Sequence, residues 1–291
     1  MNNKLKYLEF INIAVELSSI IPPYSSKYSK KTFTQQQLLT LLVLKQKSKL
    51  SYDDFVDDFG IKEGAMLELG LFRVPSASCL KRFAARIGCK IIEKIVGSCI
   101  NFTGKKKLDL GIDATGYHLE DGSYHYRKRL GKACKTRKNI KLSIAVDTEK
   151  QLIVASKIRK SKAHDNKDFI LLVKKSSKIK PIKIAVADKG YDDEKNHIFV
   201  REEIQAKCII PPRNKTSKKH MTQGMYRKKL RNGYSKKKYH QRSKVETINF
   251  VMKRLFGEVV VAKKWMMQKK EMLFKCLAYN IRRLVILGGC N

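Results

Sequence analysis

Asp113 and Asp188 are the residues best placed to do chemistry. They stand in LDLGIDATG and IAVADKGYD, each at the end of a hydrophobic, strand-like run. A carboxylate there projects from a sheet rim, where ligands bind in α/β folds, and burying it costs free energy unless it is paired or metal-bound. A turn aspartate near Gly is the plainer account of either one alone, but two matching cases weigh against it. A third acid is marked by contrast. Residues 204–245 carry 14 Lys+Arg and no Asp or Glu, and then Glu246 enters the amphipathic stretch KVETINFVMKRLF. At ~100° per residue, Tyr239, Arg242, Glu246 and Lys253 share one face if the whole segment is helical. A plain surface pair between Arg242 and Glu246 is the competing account.

Three carboxylates on one rim repel each other, and two divalent cations held between them remove the conflict. Such a pair, ~3.5–4 Å apart, can activate water or a 3′-hydroxyl for phosphodiester displacement. All-oxygen ligation points to Mg²⁺ or Mn²⁺. Zinc is not expected, because the six histidines show no H-x-x-H or H-x-x-x-H spacing and the seven cysteines no C-x-x-C. Odd in number and dispersed, the cysteines suit a reducing cytoplasm rather than a disulfide framework.

The charge balance names the partner class. The 291 residues hold 63 Lys+Arg and 26 Asp+Glu, a net +37. Self-repulsion on that scale calls for a polyanion and argues against an ordinary small-molecule enzyme. Residues 1–100 contribute +6 (15 − 9) and 101–291 the other +31 (48 − 17). The acid-free segment includes Lys218-Lys219, Arg227-Lys228-Lys229 and Lys236-Lys237-Lys238, interleaved with Tyr226, Tyr234 and Tyr239; a second, 122–146, carries eight cations near Tyr124 and Tyr126. Cations alternating with aromatics suit phosphate contact and base stacking, with little sequence specificity. A solvated loop that attracts any polyanion is the alternative.

The elements that must position these groups divide at about residue 104. Residues 1–104 read as short helices. Leu5, Leu8, Ile11 and Ala14 keep helical spacing, Thr34-Gln-Gln-Gln37 has capping-box form, and Ser51–Phe59 is an acidic amphipathic segment. A further helix after Pro75 carries Lys81, Arg82 and Arg86. This suggests a helix-turn-helix bundle that grips DNA ends with Lys81 and Arg82, or a helical packing domain without base contacts. Residues 105–291 change period. Strands are expected at 107–117, 123–130, 139–147, 152–158, 181–187 and 206–210, and helices at 165–175, 192–204, 243–256 and 268–287, with 205–244 basic and irregular. Strands followed by strand–helix alternation indicate a mixed α/β sheet domain. The apolar runs are far too short to span a bilayer, and acids interrupt any would-be leader. A soluble, cytoplasmic, nucleoid-associated protein is expected.

At these positions the sequence resembles the DDE transposases of insertion sequences. Tyr239-x2-Arg242-x3-Glu246-x6-Lys253 fits the Y-x2-R-x3-E-x6-K signature of one large branch, and GIDATG and ADKGYD look like its two aspartate motifs. The resemblance implies an RNase H-like catalytic domain over 105–291, closed by the helix at 268–287. It further implies two metal ions on Asp113, Asp188 and Glu246, and phosphate contacts from Tyr239, Arg242 and Lys253. The implied activity is cleavage at terminal inverted repeats and strand transfer into target double-stranded DNA, by a homodimer in the synaptic complex. Arg227, Lys228, Lys236, Lys237 and Lys238 are the further DNA-contact candidates. A stand-alone RNase H-like nuclease or resolvase, or a non-catalytic DNA-binding protein, are the alternatives. Asp192, four residues past Asp188, is read as a turn or cap residue.

Overall fold

The computed structural model describes residues 3–120, 129, 139–160, 164, 166–213 and 221–288. The chain forms two compact units. One comprises residues 1–104, 254–257 and 269–291; the other comprises 105–253 and 258–268.

The first unit opens with six helices: α1 (Asn3–Ser18), α2 (Gln35–Ser48), α3 (Tyr52–Gly60), α4 (Glu63–Glu68), α5 (Ala77–Arg86) and α6 (Cys89–Ser98). Their starts are written in the sequence. Thr34 and Gln37 form the expected capping box, and the hydroxyls of Ser51 and Ser76 accept from the backbone amides of Asp54 and Cys79. Such caps satisfy amides that lack an intrahelical partner. Leu38, Leu39 and Leu41 to Leu44 are all buried, so the central turns of α2 are packed into the core of this unit.

The second unit is built on a mixed six-stranded sheet of β1 (Leu108–Leu119), β2 (Asn139–Asp147), β3 (Leu152–Arg159), β4 (Ile182–Ala187), β5 (Lys207–Ile209) and β6 (Val259–Val260). The order is β3-β2-β1-β4-β5, with β6 paired to β1 beyond that path. β1, β2 and β3 are antiparallel neighbours, whereas β4 and β6 run parallel to β1 and β5 runs parallel to β4. This is the RNase H-like mixed α/β arrangement expected from the sequence. Helix α7 (Asn166–Ser177) covers one face: its buried Asp168 accepts a 2.9 Å hydrogen bond from Ser143, which pairs with Ala114 of β1. Alternation along β1 sends Gly111 and Asp113 to the opposite face.

Between β4 and the end of this unit the chain departs from expectation. The single helix expected at 192–204 is a 3₁₀ turn (Lys189–Tyr191), the short α8 (Glu194–Ile198) and a wide π-type turn (Phe199–Glu203). The segment read as irregular contains α9 (Met225–Asn232) and α10 (Lys236–His240), followed by α11 (Ser243–Phe256). Apart from residue 129, the strand expected at 123–130 lies outside the described residues, as do the pairs Lys218-Lys219 and Tyr124/Tyr126.

The closing helix, α12 (Trp265–Ile286), lies mostly in the helical unit, not the sheet domain to which the sequence division assigned it. The reason is its buried face. Met272, Leu273, Cys276, Leu277, Ile281 and Leu284 are buried, Lys270 Nζ donates to the carbonyls of Ala84 and Ala85, and Asn280 donates to that of Val96. Among the described residues no helix is long and apolar enough to cross a membrane.

Candidate active site

The two aspartates meet through strand register. β1 and β4 run parallel, with Gly111 beside Val186 and Ile112 beside Ala187 as their last pairs. Asp113 and Asp188 are the next residues on each strand. Residues in register share a face, so both carboxylates rise side by side from the face carrying Gly111 and Val186. Asp113 continues in pairing with Ile144 of β2. Asp188 lies just past the end of β4, and its carbonyl accepts from Tyr191 in the turn that follows. Both are partly buried.

Helix α11 lies along this face. Gly111 makes the approach possible: a Cβ added there would stand 2.6 Å from a Val245 methyl and 2.8 Å from that of Thr148. One turn on, Asn249 Nδ2 is 3.4 Å from Asp113 Oδ2. Another turn on, Lys253 Nζ sits 5.7 Å from the centre of the Tyr117 ring. Val245, Ile248 and Met252 are buried and seat the helix. Asn249 is itself buried, and its Oδ1 has no hydrogen-bond partner among the described residues. Sequence reasoning passed over Asn249, whose only signal is its spacing one turn past Val245.

Glu246 follows Val245 and is turned ~100° away from that contact. Its side chain is 54% exposed, and Arg242 Nη1 donates to it at 2.7 Å. Among the described residues no three His, Cys, Asp or Glu side chains stand close enough together to hold a metal ion. The donor chemistry nevertheless fits an oxygen-seeking divalent cation: two adjacent carboxylates, an unpartnered buried amide oxygen beside them, and an exposed glutamate on the covering helix.

The segment from Tyr239 to Lys253 is not one helix. α10 ends at His240 and α11 starts at Ser243, so Tyr239 and Arg242 reach Glu246 across a turn. They still form a connected set. The Arg242 guanidinium lies 5.9 Å from the Tyr239 ring centre, and that ring packs on Ile184, Val186 and Ile209 and meets Tyr234 edge-on. Burial works against the charge on Arg242, but the Glu246 carboxylate, with Asp188 nearby, holds its pKa above the usual value. Burial likewise raises the Tyr239 phenol, with Arg242 opposing.

The acids after Asp188 serve the scaffold. Asp192 is buried and accepts two hydrogen bonds from Arg227, at 2.8 and 2.6 Å, plus the backbone amide of Arg213. Glu194 accepts from the amides of Tyr226 and Arg227, the first residues of α9. Gly224, at φ +94°, leaves room for that carboxylate. Asp192 is thus a structural acid, in line with its reading as a turn or cap residue. Arg227, in contrast, was expected on DNA; here its guanidinium is committed to Asp192. Lys228, Lys236, Lys237 and Lys238 are exposed.

In the helical unit, Lys81 bridges to Asp53 at 3.1 Å in an exposed pair. Arg82 lines a cleft of about 520 Å³ with Lys30, Arg73 and Arg86, and no acid lines it. Arg73 stacks over Phe33 and Arg86 over Phe83. Lys30 is far from α5 in sequence and Arg73 precedes it outside the helix, so helical spacing alone does not group them with it.

Residues 104–281, more than half of the chain, match the family described as "Transposase DDE domain". The chain belongs to the DDE transposase-domain family. Among solved structures, this DDE transposase-domain protein is similar to the chain described as "Cryo-EM structure of piggyBac transposase synaptic complex with hairpin DNA". The identity is 12% and the TM-score 0.48, over 96% of this chain and 72% of that one, a likeness too distant to argue from. A search of curated proteins found no match.

Proposed function

We propose that this DDE transposase-domain protein cuts DNA at the ends of its element and joins the freed 3′-hydroxyl to target DNA. The reading is supported by one observation: Asp113 and Asp188 directly follow Ile112 and Ala187, the last register pair of two neighbouring parallel strands, and Asp113 meets Asn249 of the helix that carries Glu246. Asp113, Asp188 and Glu246 are the residues that would hold Mg²⁺ or Mn²⁺. When bound, such ions supply activated water or 3′-hydroxyl and stabilise the leaving oxygen.

The chain's own groups prepare that chemistry. Asn249 donates to Asp113 and orients its carboxylate. Glu246 joins the aspartates by letting go of Arg242, which frees a guanidinium suited to grip a phosphate bidentately. Lys253 adds a point charge, and Tyr239 offers a ring for an unpaired nucleotide. This set matches the Tyr-Arg-Glu-Lys signature residue for residue. Lys228, Lys236, Lys237 and Lys238 extend the basic surface along which duplex DNA lies. The acid-free cleft of Lys30, Arg73, Arg82 and Arg86 gives the helical unit its own hold on the phosphates of the terminal repeats. Two ends brought together require two copies of the chain on DNA.

The test is a Mg²⁺-dependent cleavage and strand-transfer assay on the inverted repeats that flank the gene. Asp113→Ala, Asp188→Ala and Glu246→Ala should each reduce cleavage by about 10³-fold or more, the scale of losing several kcal/mol of transition-state stabilisation. DNA binding should survive. Cleavage without strand transfer points to a stand-alone nuclease instead, and full activity in any one variant removes that residue from the site.

A further inference from the structure

The face that carries the aspartates has a second site at its other end. Asp109, Gly111 and Asp113 alternate along that face of β1, so Asp109 lies ~13 Å from Asp113 at the strand's beginning. Around it opens a pocket of about 300 Å³, lined within the sheet unit. Its lining includes the aliphatic side chains of Ile184 and Val186, on which the Tyr239 ring also packs. Around it stand Lys183, Lys207, Lys238 and Lys244.

The electrostatics favour an anion. Four lysines face two lining carboxylates, Asp109 and Glu149, and Lys105 already holds both, at 3.0 and 2.7 Å. None of Lys207, Lys238 and Lys244 forms an ion pair among the described residues. The Gln241 side chain adds an amide with both donor and acceptor capacity. Aliphatic lining, four lysines and one amide are the complement of a nucleotide: a base against the aliphatic side chains, its edge toward Gln241, its phosphate among the lysines. The volume lies at the small end of ligand pockets and is too small for a duplex or a protein segment. It is also larger and more apolar than inorganic phosphate requires.

We propose that this pocket binds a single nucleotide through its base and 5′-phosphate together, either as a free mononucleotide or as one unit of a single strand. The assignment does not depend on the roles given to the carboxylates. Calorimetry on the full chain, with 2′-deoxyadenosine 5′-monophosphate, deoxyadenosine, inorganic phosphate and a 5′-phosphorylated single-stranded oligonucleotide as probes, tests it. The monophosphate should bind at least tenfold tighter than deoxyadenosine or phosphate alone. The double variant Lys207→Gln/Lys244→Gln keeps the aliphatic stems and should weaken it at least tenfold, whereas Lys90→Gln should not. An oligonucleotide that binds tighter than the mononucleotide identifies a strand as the ligand; equal affinity identifies the free nucleotide. The proposal is overturned if the monophosphate binds no better than phosphate, or if the double variant binds like the parent chain.

Discussion

Asn249 Nδ2 and Asp113 Oδ2 lie 3.4 Å apart although 136 residues separate them in sequence. This contact ties the covering helix to the first aspartate and makes Asn249 a positioning residue. Asn249→Ala should slow single-turnover DNA cleavage about tenfold, or ~1.4 kcal/mol, with the affinity for DNA ends unchanged within twofold. An unchanged cleavage rate would remove Asn249 from the site.

Gly111 sets how closely α11 approaches β1. Gly111→Ala places a methyl against Val245 and Thr148, and overpacking of this kind typically costs ~1–3 kcal/mol. Val245→Ala removes one of the two obstructing methyls. The double variant should therefore recover part of the loss, with a coupling energy above ~0.5 kcal/mol in urea unfolding. Strict additivity would mean that the helix moves away at no cost.

Arg227 and Lys237 should respond differently to salt. Arg227 is engaged with the buried Asp192, so Arg227→Gln should destabilise the sheet unit, on the ~3–5 kcal/mol scale of a broken buried pair, and leave the salt dependence of DNA binding unaltered. Lys237→Gln should leave stability unaltered and reduce the slope of log K against log salt by about 0.9. The reverse pattern would return Arg227 to the DNA surface.

His197 makes stability depend on pH. Burial, the largest influence, lowers its pKa to about 4; Asp192 and Glu194 oppose this, while Arg201 and Arg227 add to it. Neither ring nitrogen has a hydrogen-bond partner among the described residues. As pH falls below the ordinary histidine value, ~6.5, the unfolded chain takes up a proton that the folded chain refuses until about pH 4. The folded state thus loses roughly 3 kcal/mol across that window and no more below it. His197→Leu should abolish this share, seen as a shallower fall in unfolding free energy from pH 6.5 to 4 than in the parent chain. Parallel curves would assign the pH dependence to other groups.

Much of the site was legible because it rests on local pattern. Asp113 and Asp188 declare themselves as polar ends of apolar runs, and α11 starts and stops where its amphipathic stretch does. What escaped depends on contacts distant in sequence. Nothing near Asn249 says that its turn of helix will cross β1 at Asp113. Asp192 finds Arg227 across 35 residues, so a cation that reads as free turns out to be engaged. The two-residue β6 is too short to show alternation, and no Gly or Pro marks the break between α10 and α11. The apolar stripe of α12 is plain in the sequence, but a stripe does not say which unit it will face.

β1 is also a constraint on how this chain can change length. From Asp109 to Ile112 its pairing with β4 runs in unbroken register, and Asp113 follows, on the same face as Gly111. Deleting or inserting a single residue in that stretch would carry the carboxylate through the sheet to the side covered by α7. A change of two residues would keep the face of Asp113, and a change of one would need a bulge of the kind that already sits between Leu108 and Asp109.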